Sequence, residues 1–481
     1  MLAAPLIAGI AGFALKSPMN ILRLAALVTG LFFGASVLLT VQVFASPEVL
    51  LSADRTLRVD AFSVFHILAL ALTYFGGSLF ALAYFRHEIA SGHFGITLAR
   101  RYGALWLAGL SAMLLVLVSN NLGLMWVGME TTTLVTAYLV AMHGDAPAIE
   151  AMWKYLIVCS VGIAFAFMGT LLSAASAPQA DGADTLLWTH LMDQRANLNP
   201  QLMKAAFVFL IVGYGTKAGL APMHTWLPDA HSQAPAPVSA MFSGFMLNAA
   251  LYCVVRYLPI VEATSPGFGH KAMIGFGLFS VLVPAAFIIF QRDAKRMLAY
   301  CSVEHLGIIA IGYGLGPLGA FAALFHTLNH SLAKSLAFFS IGRLGQIYGS
   351  NDMGRIRGAI GAHPVYGPAL LGSVLALIGV APFAIFASEF QTVRAMVAQT
   401  QWWLLALFLL GVSVIFISML RHVTGMVFGE RPDDIEPIEP HPGSKLLSFS
   451  FLGALVLLGV WMPPPLRHAI ESAAQIVWSQ P

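Results

Sequence analysis

A succession of apolar stretches, each long enough to cross a bilayer, constrains this chain more than any other feature. A transmembrane helix needs about 20 predominantly apolar residues, within a range of roughly 17–25. By that criterion there are about fourteen: 1–15, 20–44, 61–84, 102–119, 121–142, 151–175, 204–224, 235–258, 272–291, 297–315, 317–343, 366–388, 402–428 and 446–462. Lipid hosts only helices or closed barrels, because every backbone polar group must find its partner within the protein. The fold class that follows is an all-α polytopic membrane protein. Composition agrees: 58% of the 481 residues are hydrophobic and 10% charged, against about 25% charged in soluble domains. A net charge of +3 with no basic block gives no sign of a nucleic-acid partner.

Cys159, Cys253 and Cys301 all lie in apolar runs, and none forms a C-x-x-C pair. A disulfide frame, zinc site or iron–sulfur cluster is therefore not expected, and the chain is read as carrying no cofactor of its own. The N-terminal MLAAPLIAGIAGFAL lacks a basic n-region and reads as a short first membrane helix rather than a cleaved signal.

An even number of spans places both termini on one side. Loops then alternate between two sets. One holds Lys16, Arg86, Arg100, Arg101, Arg292, Lys295, Arg296, Arg343, Arg355, Arg357, Arg431 and Lys445; the poorer one holds Arg55, Arg58, Arg195, Lys271, Arg394 and Arg467. The richer set is expected in the cytoplasm. Both termini are then predicted on the non-cytoplasmic side of a prokaryotic inner membrane. The longest loop, 176–203, is one surface excursion, and the acidic, proline-rich 431–445 reads as a solvated connection.

Ionisable residues interrupt these spans. Each charge at the centre of a membrane helix costs about 2.5–3.5 kcal/mol on insertion scales. Glu130 lies mid-helix in GLMWVGMETTTLVTAYLV, Lys217 in FVFLIVGYGTKAGLAPMHTWLP, Glu304 and His305 in MLAYCSVEHLGIIAIGYG, and Glu389 closes LIGVAPFAIFASEF. His326, His330 and Lys334 step by four and share one helix face. For any one of these residues, a static ion pair or a snorkelling side chain is an equal alternative. Taken together they point to a proton or ion relay. Two histidines at i, i+4 also suggest a metal site, but no acidic third ligand shares their face. Glu304 and His305 are adjacent, about a hundred degrees apart on a helix, so one can serve the relay while the other packs. His66 reads as a hydrogen-bonded core histidine, and Lys154 as a snorkelling side chain near a helix start.

Two of the charged helices carry breakers. Lys217 is flanked by Gly213, Gly215, Gly219 and Pro222, and Glu389 is preceded by Gly379 and Pro382. Broken helices at membrane depth occur only where they line protein or water, and transporters place their sites there, at matching positions of two repeats. Glu130 to Lys217 spans 87 residues and Glu304 to Glu389 spans 85, each pair two helices apart. An odd five helices per unit would invert the second unit. Chance equality of helix lengths is the alternative.

KAGLAPMHTWLPDAHSQAPAPVSAMFSG at 217–244 closely resembles the signature of the antiporter-like membrane subunits of respiratory complex I, Mrp antiporters and energy-converting hydrogenases. AKRMLAYCSVEHLG at 294–307 and NHSLAKSLAFFSIGRL at 329–344 are similar to two further blocks of that family, in the same order. The likeness spans roughly 60–430. EAMWKYLIVCSVGIAFAFMGT at 150–170 is most similar to the F subunit of hydrogenase-4.

The resemblance implies fourteen core helices, two inverted five-helix repeats, and broken helices 7 and 12. The expected organisation is 1–101 for helices 1–3, 102–258 and 272–428 for the two repeats, and 429–481 for a C-terminal loop and helix 14. It also implies that Glu130 on helix 5 pairs with Lys217, the central proton carrier. His305, His330 and Lys334 would form the hydrated axis of helices 10 and 11, and Glu389 the terminal helix-12 position. Glu304, His326, His224 and Asp229 are further candidates. Asn248 stands where the family commonly has a helix-8 lysine; it can hold water but cannot titrate. The long lateral helix seen in some relatives is not expected here, the sequence ending near 481.

The function expected is proton translocation by one subunit of a redox-driven complex, most nearly a group 4 NiFe hydrogenase or formate hydrogenlyase. The NiFe centre and iron–sulfur clusters would lie on partner subunits of a peripheral redox arm, beside other membrane subunits. The alternatives are an Mrp-type sodium/proton antiporter subunit, a complex I subunit, or a structural membrane anchor without transport.

Overall fold

The computed structural model describes residues 1–45, 49–178, 184–436 and 442–478. Parts of the loops expected at 176–203 and 431–445 therefore lie outside the described residues. Among the described residues ten helices are long and apolar enough to cross a membrane by length and composition. In chain order the helices are α1 (Ala3–Ala11), α2 (Pro18–Ala45), α3 (Ala61–Ala90), α4 (Ile96–Val118), α5 (Leu122–Val140), α6 (Ala146–Ala175), α7 (Trp188–Asp193) and α8 (Pro200–Ala218). They continue as α9 (Trp226–Gln233), α10 (Ala236–Met241), α11 (Leu247–Thr264), α12 (Phe268–Ile288), α13 (Ala294–Gly314) and α14 (Gly316–Tyr348). The chain closes with α15 (Ala359–Ala362), α16 (Tyr366–Leu377), α17 (Ala384–Ala398), α18 (Trp402–Phe428), α19 (Pro442–Val460) and α20 (Pro464–Val477).

Helix starts are written in short polar side chains. A helix leaves its first amides without intrahelical partners, and in lipid an orphan amide is costly. Asp60, Asn121, Asp145, Asn199 and Asp293 each precede a helix and accept hydrogen bonds from its first-turn amides. The small antiparallel pair Leu50–Leu51 with Arg58–Val59 closes the turn ahead of α3.

Burial sorts the helices into a pillar and a rim. Every residue of the apolar window of Ala236–Thr264 is buried, and α13 is nearly so, whereas α2 and α19 bury only about a fifth of theirs. Rim side chains such as Phe290 and Trp403 are largely exposed, and a water-facing surface would not carry them in such number. The long α14 packs on α3, α10, α13, α16, α17, α19 and α20 and so ties the centre together. Neither α5 nor α14 is among the ten apolar spans. Glu130 and Thr131–Thr133 dilute the first, and His326, Asn329, His330 and Lys334 the second.

Several boundaries differ from those expected. The first stretch forms α1 and a 3₁₀ turn, Gly12–Ala14, too short to span as a straight helix; Gly9 packs closely on Ala104 of α4. α3 runs six residues past 84, carrying Arg86 and Glu88 on the helix. The stretch 366–388 is two helices, α16 and α17, and the second continues to Ala398. The amphipathic α20 was not foreseen. Fourteen residues are too few to span, but its Ile470, Ala473 and Val477 are buried against the bundle.

Both breaker-bearing helices are broken, at the same four-residue pattern. α8 stops at Ala218, and Gly219-Leu220-Ala221-Pro222 follows, with Gly219 at φ +77° and a cis Ala221–Pro222 bond. α16 stops at Leu377, and Gly379-Val380-Ala381-Pro382 follows, with Gly379 at φ +69° and a cis Ala381–Pro382 bond. Only glycine adopts that left-handed conformation without a steric penalty. The carbonyls freed at the first break are reused: Trp226 Nε1 donates to Thr216 O (2.9 Å) and Leu220 N to Gly215 O (2.8 Å).

Candidate proton path

The site is built around these breaks. Lys217 sits two residues before Gly219, on the last turn of α8, and is fully buried. Its Nζ donates to Thr133 Oγ1 on α5 (2.9 Å) and to Tyr155 OH on α6 (2.5 Å), and lies 4.5 Å from the Tyr155 ring centroid. Glu130 lies one turn before Thr133 on α5; its Oε1 accepts from Ser160 Oγ (2.9 Å) and its Oε2 is buried without a partner. Among the described residues no ion pair joins Glu130 to Lys217. The acid and the base expected to pair are instead neighbours on one polar ladder, with Ser160, Thr133 and Tyr155 on its rungs.

Beyond Tyr155 the lining turns apolar for one step. The Tyr155 hydroxyl meets Met246 Sδ at 3.9 Å, and its ring packs on Phe242 at 5.7 Å between centroids. Both residues belong to a π-helical turn, Phe242–Met246, between α10 and α11. Such turns interrupt the regular bonding ladder and often mark functional sites. The Gly244 carbonyl within this turn accepts from Ser331 Oγ (2.6 Å) and from Asn248 Nδ2 (3.2 Å). Asn248 Nδ2 is also 3.5 Å from His330 Nδ1, the outer limit of a hydrogen bond.

From His330 the groups run on to the second break. The His330 and His305 rings lie 5.2 Å apart between centroids. His305 Nδ1 and His326 Nε2 are 2.9 Å apart, and His326 Nδ1 is 2.9 Å from Ser388 Oγ on α17. Glu389 follows Ser388 directly, and its carboxylate lies over Gly379, where an added Cβ would sit 2.3 Å from Oε2. His326 is therefore central to the chain of contacts, not peripheral to it. Lys334, fully buried, donates to Leu298 O (2.7 Å) and stands beside Cys301 and Glu304.

Lys217 and Glu389 both flank breaks but on opposite sides. Lys217 precedes its glycine by two residues, while Glu389 follows its own by ten. Superposing Gly219 on Gly379 places Leu377 opposite Lys217. The near-equal spacing of 87 and 85 residues is therefore not a residue-for-residue correspondence; the Gly-x-Ala-Pro pattern is the better marker.

Other candidates fall apart from this line. Asp229 pairs with Lys154 (3.0 Å) and with Arg296 in a partly exposed ion cluster that includes Glu150. Lys154 reaches the surface, as expected of a snorkelling side chain. His224 is buried beside the Tyr300 ring, 6.1 Å away. His66 Nδ1 bonds Phe62 O (2.8 Å), the core role expected of it. Cys301, Glu304 and His305 bring ligand atoms within 4.8 Å of one another, the group among the described residues that could hold a metal. The Lys334 ammonium beside them disfavours a further cation.

Two features escaped the sequence reading. His231, inside 217–244, is fully buried with both ring nitrogens unpartnered, stacked 5.0 Å from Phe338. A second buried charge cluster lies at the start of α3. Asp60 accepts from both terminal nitrogens of Arg256 (2.7 and 2.8 Å), and Arg58 Nε lies 3.1 Å from it. Arg256 interrupts the apolar run 235–258, a signal that was legible.

Residues 119–416 match the model of the family described as NADH:quinone oxidoreductase/Mrp antiporter, TM. The chain belongs to this family. It is 38% identical over 410 residues to a hydrogenase-4 component F homolog of Methylacidiphilum infernorum, covering 84% of this chain and 85% of that one. Its fold is similar to a chain of an archaeal membrane-bound sulfane sulfur reductase (TM-score 0.88, 24% identity, 99% and 96% of the two chains covered). It is similar also to a chain of the Mrp complex of Dietzia sp. (TM-score 0.86, 20% identity, 99% and 96% covered). The protein is thus a multi-pass, antiporter-like membrane subunit, related to those of hydrogenase-4, complex I and Mrp assemblies.

Proposed function

We propose that the chain moves protons as one membrane subunit of a redox-driven complex of the group 4 NiFe hydrogenase or formate hydrogenlyase type. The observation that carries this is two runs of buried polar groups separated by one apolar step: Glu130, Lys217 and Tyr155 on one side, and Asn248, His330, His305, His326 and Ser388, with Glu389 next in sequence, on the other. Intramembrane acids, lysines and histidines that face one another rather than lipid are the mark of proton relays. Lysine and glutamate would load and release the proton. Histidine, which titrates near neutral pH, would pass it on. The apolar step at Phe242 and Met246 would open to water only when charge on Lys217 moves, which ties transfer to an outside event. The NiFe centre and iron–sulfur clusters would lie on partner subunits in a peripheral arm.

The fourteen apolar helical segments, counting each broken helix once, would be the core helices. Residues 102–258 and 272–428 would be the inverted repeats, between helices 1–3 (1–101) and the C-terminal 429–481. The repeated Gly-x-Ala-Pro breaks support that division. The prokaryotic inner membrane, with both termini on the non-cytoplasmic face, completes the reading.

The hydrogenase choice rests on the 38% identical relative. The likeness to an Mrp chain favours a second reading, a sodium/proton antiporter subunit. Purification of the tagged chain from native membranes separates them. Co-purifying nickel–iron and iron–sulfur subunits, with proton uptake driven by hydrogen or formate turnover in vesicles, supports the proposal. Co-purification with small membrane subunits alone, and sodium-dependent proton exchange, would overturn it.

A further inference from the structure

A cavity of about 560 Å³ opens on the rim between α2, α3, α16 and α19, away from the polar line. Its body is apolar: Phe33, Phe75, Leu79, Ala83 and Phe451 are among its lining residues. Phe33 and Phe75 stack 5.8 Å apart, and the Phe451 ring sits so close to Gly76 that a Cβ there would meet it at 2.6 Å. The groove is therefore a shaped feature of four helices rather than a gap between loosely packed ones.

Its end is different. Arg86, exposed near the end of α3, lines the cavity together with Gly443 and Ser444 of the first turn of α19. Lys445, also exposed, is the next residue along that turn. Among the described residues no acidic side chain lines the cavity, and Arg86 makes no hydrogen bond or ion pair. An arginine left without a partner at one end of an apolar groove is matched by a molecule with an anionic head and a hydrocarbon tail. Basic pockets between membrane helices bind anionic lipid head groups in this way, and the planar guanidinium suits phosphate oxygens. The volume falls within the range of about 300–1,000 Å³ typical of ligand sites.

We propose that this groove binds an anionic glycerophospholipid, with an acyl chain against Phe33, Phe75, Leu79 and Phe451 and its phosphate at Arg86, assisted by Lys445. The lipid would wedge the early helices α2 and α3 against α16 and α19. α19 in turn touches the second break, since Gly459 packs directly on Pro382 and Phe383.

The test uses the intact complex, purified in mild detergent, stripped of lipid, and reconstituted into nanodiscs of phosphatidylglycerol mixed with phosphatidylcholine. After re-extraction, phospholipid retained per complex is counted by mass spectrometry. The expected result is about one phosphatidylglycerol retained in preference to phosphatidylcholine. Arg86→Gln should reduce that preference at least fivefold, and Ala83→Phe, which fills the groove, should remove the bound lipid of either kind. Arg86 is exposed and unpartnered, so its replacement leaves assembly intact and the reading remains decisive if the filling variant is unstable. Equal retention of the two lipids, an unchanged preference in Arg86→Gln, or a protein helix occupying the groove in a map of the complex would each overturn the proposal.

Discussion

The Asp60 cluster is where the structure can be perturbed with the clearest stake in stability. Asp60 is about 2% exposed and accepts three hydrogen bonds, two from Arg256 nitrogens and one from the Ser63 amide, with Arg58 Nε in ion-pair contact at 3.1 Å. Asp60→Asn keeps the shape and the cap on α3, since asparagine caps as well as aspartate. It removes the charge and leaves two guanidiniums facing one another in a site closed by Trp188, whose ring lies 4.3 Å from Arg58. Breaking a buried pair from one side costs about 3–5 kcal/mol. Asp60→Ala should cost about 1 kcal/mol more, for the lost cap. Asp60→Asn combined with Arg256→Met should cost less than the sum of the single changes, because each single change strands a charge that the other removes. Equilibrium unfolding in mixed detergent micelles measures all four. Acid gives an independent check. Burial alone would raise the Asp60 carboxyl, but Arg256 and Arg58 outweigh it and hold it below the usual carboxylate range. A depressed carboxyl contributes stability above its unfolded value of about 3.9 and loses it as pH falls below that value. The wild type should therefore weaken below about pH 4 by more than Asp60→Asn does. A loss under about 1 kcal/mol for Asp60→Asn, or strict additivity in the double variant, would refute this account of the cluster.

Two further substitutions probe the path itself. Gly379→Ala forces a side chain onto a residue at φ +69°, a strain of about 1–2 kcal/mol, and drives a Cβ into the Glu389 carboxylate; the complex should still assemble but lose most of its proton movement in vesicles, and normal movement would remove Glu389 from the path. Asn248→Leu takes away the polar group 3.5 Å from His330; proton movement should fall at least tenfold with redox turnover measured alongside, and an unchanged rate would mean that transfer bypasses Asn248.

The sequence showed the architecture plainly because lipid imposes it. Length and apolarity located ten of the spans; α1, the split α16 and α17, and the polar-diluted α5 and α14 fall short of that criterion, and α20 was not foreseen. The breaks could be anticipated at Gly219–Pro222 and Gly379–Pro382, since glycine and proline there have no use inside a continuous helix. Charges within apolar runs were equally visible, which is why Glu130, Lys217, His305, His330, Lys334 and Glu389 could be named in advance. Their uncharged hydrogen-bond partners could not. Tyr155, Thr133, Ser160 and Ser388 look like ordinary helix residues until packing brings them to Lys217, Glu130 and His326. The direct Glu130–Lys217 pair was expected from family likeness, yet Glu130 bonds Ser160 while Lys217 bonds Thr133 and Tyr155. Asp60 and Arg256 lie 196 residues apart, a separation that no local pattern bridges.

The most direct test is Lys217→Met in the intact complex. Methionine keeps the stem and volume of the buried side chain but cannot hold a proton, and because Lys217 bonds two hydroxyls rather than a carboxylate the change breaks no ion pair among the described residues. Proton movement is read as quenching of a pH-sensitive dye in sealed inverted vesicles while redox turnover is followed in parallel. A complex that assembles, turns over its electron donor and moves protons at less than a tenth of the wild-type rate is the predicted result. Full proton movement without the Lys217 ammonium would contradict a path that begins there.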